Sequence, residues 1–103
     1  MGEKIKIICW TTPAKRDLQA IYDYYSQHSV NAAEKIVNHI LDKTEILCQH
    51  PSIGQREELL KHKADLYRYL VEGNYKIIYR IKGQTVVIDS VFDCRQNPVK
   101  MKN

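Results

Sequence analysis

Apolar positions are densest between residues 66 and 98, LYRYLVEGNYKIIYRIKGQTVVIDSVFDCRQNP. Three runs rich in β-branched and aromatic residues stand there, separated only by Glu72-Gly73-Asn74 and Lys82-Gly83-Gln84. That pattern predicts a three-stranded antiparallel meander, because Gly-Asn and Gly-Gln suit two-residue hairpin turns. With such turns, residues opposite one another share a side of the sheet. One side then carries Arg68, Leu70, Tyr75, Ile77, Tyr79, Ile81, Val86, Ile88 and Ser90, and is the expected core. The other carries Tyr67, Tyr69, Val71, Lys76, Ile78, Arg80, Val87, Asp89 and Val91, a mixture of cations, phenols and aliphatics expected to be open to a partner. A bulge would move individual residues between these sets.

Upstream, residues 4–10 (KIKIICW) alternate and then run apolar, which predicts a strand at or next to an edge of the same sheet. Thr11-Thr12-Pro13 marks a helix start, with Thr12 as the expected cap and Pro13 at the first helical position. Ala14, Leu18, Ile21, Tyr22 and Tyr25 form its apolar stripe. The neighbouring Tyr22, Tyr24 and Tyr25 read first as packing residues with wet hydroxyls. After a break at Gln27-His28-Ser29, Ser29 or Asn31 can cap a second helix. Its stripe of Ala33, Ile36, Val37, Ile40, Leu41, Thr44, Leu47 and Cys48 runs to about His50, before Pro51. The short connection predicts an antiparallel helical hairpin whose stripes cover the apolar side of the sheet. Residues 51–65 lack periodicity: a loop from Pro51 to Gly54, then a helical turn or two or a solvated connection.

The sequence therefore predicts one α+β domain over residues 1–103: an N-terminal strand and a helical hairpin packed on a twisted, mainly antiparallel sheet completed by the meander. No apolar stretch nears the roughly 20 residues of a membrane span, and the short apolar run ending at Trp10 is not expected to act as a leader. Cys9, Cys48 and Cys94 have no metal-ligand spacing and read as free thiols, so a reducing cytoplasm is expected. His28, His39, His50 and His62 lie at no ligand spacing, and no metal or cofactor is expected. The formal charge of +4 favours an anionic partner, nucleic acid or an acidic protein segment.

The remaining candidate chemistry is cationic: Arg68, Lys76, Arg80 and Arg95, beside Tyr67, Tyr69, Asp89 and Asp93. Such a set can bind phosphates, stack bases or stabilise the charge of a cleaving phosphodiester. A nuclease also needs a proton-transfer group, and the region offers only Asp93 and tyrosines. The plainer reading is surface charge tied into cross-strand pairs such as Asp89 with Arg80 or Lys76.

In order and spacing, "AKRDLQAIYDYY", "LCQHPSIG", "YRYLVEGNYKIIYRI" and "VVIDSVFDCRQNP" together resemble the RelE/ParE superfamily of type II toxin–antitoxin toxins, from about Cys9 to Pro98. The resemblance implies a helical hairpin on a twisted antiparallel sheet and an antitoxin partner that orders on binding. RelE-like members cut messenger RNA on the ribosome, whereas ParE-like members inhibit DNA gyrase. The lysine pair of the nucleases aligns with Tyr67 and Tyr69, and an arginine of the next strand aligns with Lys76. Asp93 stands where ParE-like members often have histidine. The outline is closer to ParE, which implies a gyrase-binding toxin contacting target or antitoxin through Tyr67, Arg68, Tyr69, Lys76, Arg80 and Arg95. The alternatives are a ribosome-dependent endoribonuclease, with Lys76 and Arg95 holding phosphate charge and Asp93 or a tyrosine moving the proton, and an inactive antitoxin-binding module. Exposed tyrosines and the first strand's edge permit a homodimer.

Overall fold

The computed structural model describes residue 5, residues 7–60 and residues 66–95. The meander forms as the turn chemistry predicts, from β3 (Arg68–Glu72), β4 (Tyr75–Lys82) and β5 (Thr85–Asp93). Gly73 and Gly83 take φ of +60° and +59°, a region costly for any side chain, and each opens a two-residue turn. Glu72 consequently faces Tyr75, and Lys82 faces Thr85. The chain reaches the meander through β1 (Ile7–Trp10), α1 (Thr12–Ser26), α2 (Val30–Glu45) and β2 (Gln55–Arg56).

The sheet order is β1-β5-β4-β3-β2. β1 takes the outer edge and runs parallel to β5, with Ile8 opposite Val86 and Trp10 opposite Ile88. Among the described residues it is the one parallel pair in an otherwise antiparallel sheet, reached through the helical hairpin, because parallel neighbours need a long crossover. The opposite edge is the two-residue β2, paired antiparallel to β3 within the segment that shows no periodicity in the sequence.

Both helices start one polar side chain ahead of their first turn. Thr11, not Thr12, caps α1: its Oγ1 accepts the Ala14 N–H at 3.2 Å. Pro13 then falls within the first turn, where no intrahelical donor is required. Ser29, not Asn31, caps α2, accepting the Ala32 N–H at 3.1 Å. α2 ends at Glu45 rather than near His50. The chain tightens into a 3₁₀ turn, Ile46–Cys48, and the Ile46 carbonyl accepts from Gln49 and His50.

Ala14, Ile40 and Leu47 from the helical layer meet Leu70, Tyr75, Ile77, Tyr79, Val86, Ile88 and Val91 of the sheet in one buried cluster. Each buried aliphatic side chain contributes on the order of 1.5–3 kcal/mol. Val91 belongs here, and Ser90 does not, because β5 carries a bulge. Tyr79 faces Ile88 while Ile78 faces Ser90, leaving Asp89 as the extra residue. The expected assignment of these two residues to sides is thereby reversed, since one inserted residue flips everything beyond it.

The second side is also less open than its composition suggests. Ile78 is 1 % exposed, and the side chains of Lys76 and Arg80 are only 20 % and 21 % exposed. After β2, Glu57 donates its N–H to the Tyr67 carbonyl at 2.8 Å, and a 3₁₀ turn follows at Glu58–Leu60. Glu57 and Leu60 are both buried, and the Glu57 carboxylate reaches Lys76 on this side.

The loop between α2 and β2 is fixed by β4. The Tyr79 hydroxyl, inside the core, donates to the Pro51 carbonyl at 2.7 Å and accepts the Gly54 N–H at 2.9 Å. Arg68, opposite Tyr79, donates to the Gly54 carbonyl at 2.9 Å. A Cβ on Gly54 would stand 2.6 Å from the Tyr79 ring and hydroxyl and 2.8 Å from the Tyr69 carbonyl oxygen. Tyr79→Phe strands a buried donor and a buried acceptor and is expected to cost about 2–4 kcal/mol. Gly54→Ala overpacks the same contact, by about 1–3 kcal/mol. Urea unfolding midpoints measure both; unchanged midpoints would remove the tie.

Candidate functional site

The candidate residues divide between two places. Tyr67, Tyr69, Lys76 and Arg80 share the second side of the sheet. Lys76 Nζ lies 2.7 Å from the Glu57 carboxylate and 4.1 Å from the centre of the Tyr69 ring. The Tyr69 hydroxyl donates to Gln55 Oε1 at 2.9 Å. Arg80 Nε donates to Asp89 Oδ2 at 2.8 Å, and its guanidinium carbon lies 5.9 Å from the Tyr67 ring centre. The cross-strand pair foreseen between Asp89 and Arg80 therefore forms, while Lys76 takes Glu57. Each cation has a carboxylate on one flank and a phenol ring on another, an arrangement that neutralises it and holds it in place.

Arg68 belongs to neither group, because its guanidinium is committed to the carbonyls of the loop beneath Tyr79. Asp93 and Arg95 stand at the end of β5, and the bulge has turned Asp93 toward the helices, opposite Tyr75. Arg95 Nε and its backbone N–H both donate to Asp93 Oδ1, at 2.9 and 2.8 Å, and Arg95 Nη2 donates to Oδ2 at 2.5 Å. These side-chain and backbone bonds hold the Asp93 carboxyl down at about 2. The same carboxylate raises the Arg95 pKa further above its ordinary value.

Asp93 and Arg95 border a cleft of about 410 Å³ between the C-terminal half of α1 and the end of β5. Sequence reasoning missed this cleft, along with its remaining wall of Asp17, Ala20, Ile21, Tyr24, Tyr25, Tyr75, Val91 and Phe92. The wall is built from unmet backbone needs. β1 ends at Trp10, opposite Ile88, and the bulge follows at once. α1 supplies the missing partners: Thr11 Oγ1 donates to the Asp89 carbonyl at 3.3 Å, and Asp17 Oδ2 accepts the Val91 N–H at 2.9 Å. Burial raises the Asp17 carboxyl pKa, and the Val91 bond partly offsets that rise. Tyr75 donates to the Tyr25 hydroxyl at 3.3 Å, and its own pKa is raised, first by burial and then by that bond. Spacing showed Tyr25 on a packing stripe. It could not show Tyr75 meeting it across 50 residues of chain.

Asp93 is held as a carboxylate and burial pushes the Tyr75 phenol further up, which leaves Asp17, raised by burial and bonded to Val91, as the upward-shifted carboxyl of the cleft. Among the described residues, no group of three His, Cys, Asp or Glu is placed to hold a metal ion. No helix among them is long and apolar enough to cross a membrane.

The family model describing the ParE toxin of the type II toxin–antitoxin system parDE matches residues 8–98. Toxin RelE3 of Caulobacter vibrioides is 29% identical over 75 residues, which are 73% of this chain and 79% of that protein. Among solved structures, the chromosomal ParDE TA system from P. aeruginosa superposes with a TM-score of 0.69 at 25% identity, covering 86% of this chain and 95% of that one. The toxin–antitoxin complex RelBE2 from Mycobacterium tuberculosis gives a TM-score of 0.61 at 23% identity, covering 89% and 94%. The latter likeness is one of fold: two helices on a mixed five-stranded sheet.

The Asp93–Arg95 pair makes a direct titration test. In a carbon-detected NMR titration the Asp93 carboxyl is expected to titrate at about 2. In Arg95→Gln it should return toward the ordinary value of about 3.9. Because the folded-state pKa is the lower one, any stabilisation from the pair is present at neutral pH and lost as pH falls toward 2. An unshifted Asp93 in the unaltered protein would remove the pair from the site.

Proposed function

The chain belongs to the ParE toxin family of type II toxin–antitoxin systems, and from that premise we propose that it is a ParE-like toxin that arrests growth by binding DNA gyrase in the cytoplasm. In this reading a cognate antitoxin neutralises it. The observation that carries the reading is the state of the cations. Lys76, Arg80 and Arg95 each sit within 2.9 Å of a carboxylate oxygen, from Glu57, Asp89 and Asp93 respectively. A nuclease would direct such cations at phosphate oxygens and place a titratable group beside them. Here they serve to stiffen a surface, which suits recognition of a protein. The ParDE likeness and the match to the ParE family support the same assignment.

An antitoxin partner is supported by the ParDE and RelBE2 structures, each described as a toxin–antitoxin system or complex. The net charge of +4 suits an acidic antitoxin segment that orders as it binds. The contact residues proposed for target or antitoxin are Tyr67, Tyr69, Lys76, Arg80 and Arg95, with Arg68 shaping the loop beside them.

The identity with Toxin RelE3 favours a second reading, cleavage of messenger RNA on the ribosome. Lys76 and Arg95 would then have to leave Glu57 and Asp93 to meet a phosphate. Gyrase supercoiling assays and transcript mapping during induced expression separate the two. The proposal expects inhibited supercoiling and intact transcripts. Codon-positioned cuts with unaffected gyrase would replace it by the nuclease, and normal growth without antitoxin would leave only an inactive antitoxin-binding module.

A further inference from the structure

We propose that the cleft between α1 and the end of β5 receives a cationic side chain, arginine or lysine, carried by an extended segment of a partner protein. This rests on the proposed function only in taking the partner to be a protein. Among the described residues, Asp17, Asp93 and Arg95 are the charged residues of the wall, two negative against one positive, on a chain whose net charge is +4. Arg95 is already committed to Asp93. The cleft is therefore a locally acidic hollow on a basic protein and selects against the anions that the rest of the surface attracts.

Asp17, half-buried in the wall, adds to this. One of its oxygens accepts the Val91 N–H, and the carboxylate has no cationic partner among the described residues. An incoming guanidinium or ammonium would supply that counter-charge where solvent is partly excluded. Tyr24 and Tyr25 stand edge to face, 5.0 Å between ring centres at 89°, with Tyr24 61 % exposed. Two perpendicular rings beside a carboxylate offer a π face to a cation entering along the hollow. β1 pairs with β5 only as far as Ile88, so no strand of the described chain lies beside residues 89–93 on that flank. The Asp89 carbonyl and the Val91 N–H on that flank are already taken by Thr11 and Asp17, so a partner segment meets it through a side chain entering the hollow rather than through strand pairing.

The test is an amide-resolved NMR titration of the full chain with four peptide probes, acetyl-Gly-X-Gly-amide, where X is arginine, lysine, citrulline or norleucine. Saturable shifts at Tyr25, Val91 and Asp93 are expected with the arginine and lysine peptides, and much weaker ones with the other two. Asp17→Asn, which retains an acceptor for Val91, should weaken the arginine peptide. Tyr24→Ala, on an exposed side chain, should weaken it by about two- to fivefold. Equal binding of citrulline or norleucine, an affinity unchanged in both variants, or no saturable shift at these residues would overturn the proposal. The readout needs no gyrase and no antitoxin, so its failure is separate from a failure of the proposed function.

Discussion

A single inserted residue, Asp89, governs the arrangement of the functional surface. The bulge it makes opposite Ile78 and Tyr79 reverses the sidedness of the last third of β5. Val91 is carried into the core, and Asp93 to the helix-facing side opposite Tyr75. Asp89 itself stays on the second side, where it binds Arg80. The bulge also breaks the ladder just where β1 ends, and α1 has to supply the lost hydrogen bonds through Thr11 and Asp17. One irregularity thus sets the second-side ion pair, anchors the first helix on the sheet and shapes the cleft.

The rest of the platform is held by groups that serve two neighbours at once. Thr11 caps α1 and satisfies the bulge carbonyl. Tyr79 fills the core and closes the loop from Pro51 to Gly54. Glu57 neutralises Lys76 while its backbone continues the pairing of β2 beside Tyr67. Fully desolvated charge is costly, and these pairs are tolerated because each cation keeps a carboxylate close to it. The outcome is a cationic composition in which Lys76, Arg80 and Arg95 each keep a carboxylate neighbour, and the proposal of recognition over catalysis rests on that pairing.

The meander was legible because Gly73 and Gly83 stand where two-residue turns require positive φ, between runs of the right period. The helical hairpin was legible from its stripes, and the cap of α1 was displaced by one residue because Thr11 and Thr12 are chemically equivalent candidates. The bulge was not legible: Val86 to Asp93 mixes apolar and polar residues so evenly that an extra one leaves no local mark. Glu57 was hidden for a related reason, since residues 51–65 have no period to place a side chain on either face. The resemblance to RelE/ParE toxins carried the family, agreed with the fold read from the pattern, and pointed at Tyr67, Tyr69, Lys76, Asp93 and Arg95. What it could not supply was their mutual pairing, which depends on contacts between residues far apart in the chain.

The central claim is that Lys76, Arg80 and Arg95 are already neutralised and contribute nothing to phosphate binding. The most direct measurement is the salt dependence of binding to a single-stranded RNA when each ion pair is replaced as a unit by neutral amides: Glu57→Gln with Lys76→Gln, Asp89→Asn with Arg80→Gln, and Asp93→Asn with Arg95→Gln. Net charge is unchanged by every replacement. The account predicts the same slope of affinity against salt as the unaltered protein. A slope shallower by about 0.7 for each pair removed would mean that those cations were holding phosphates, and would contradict it.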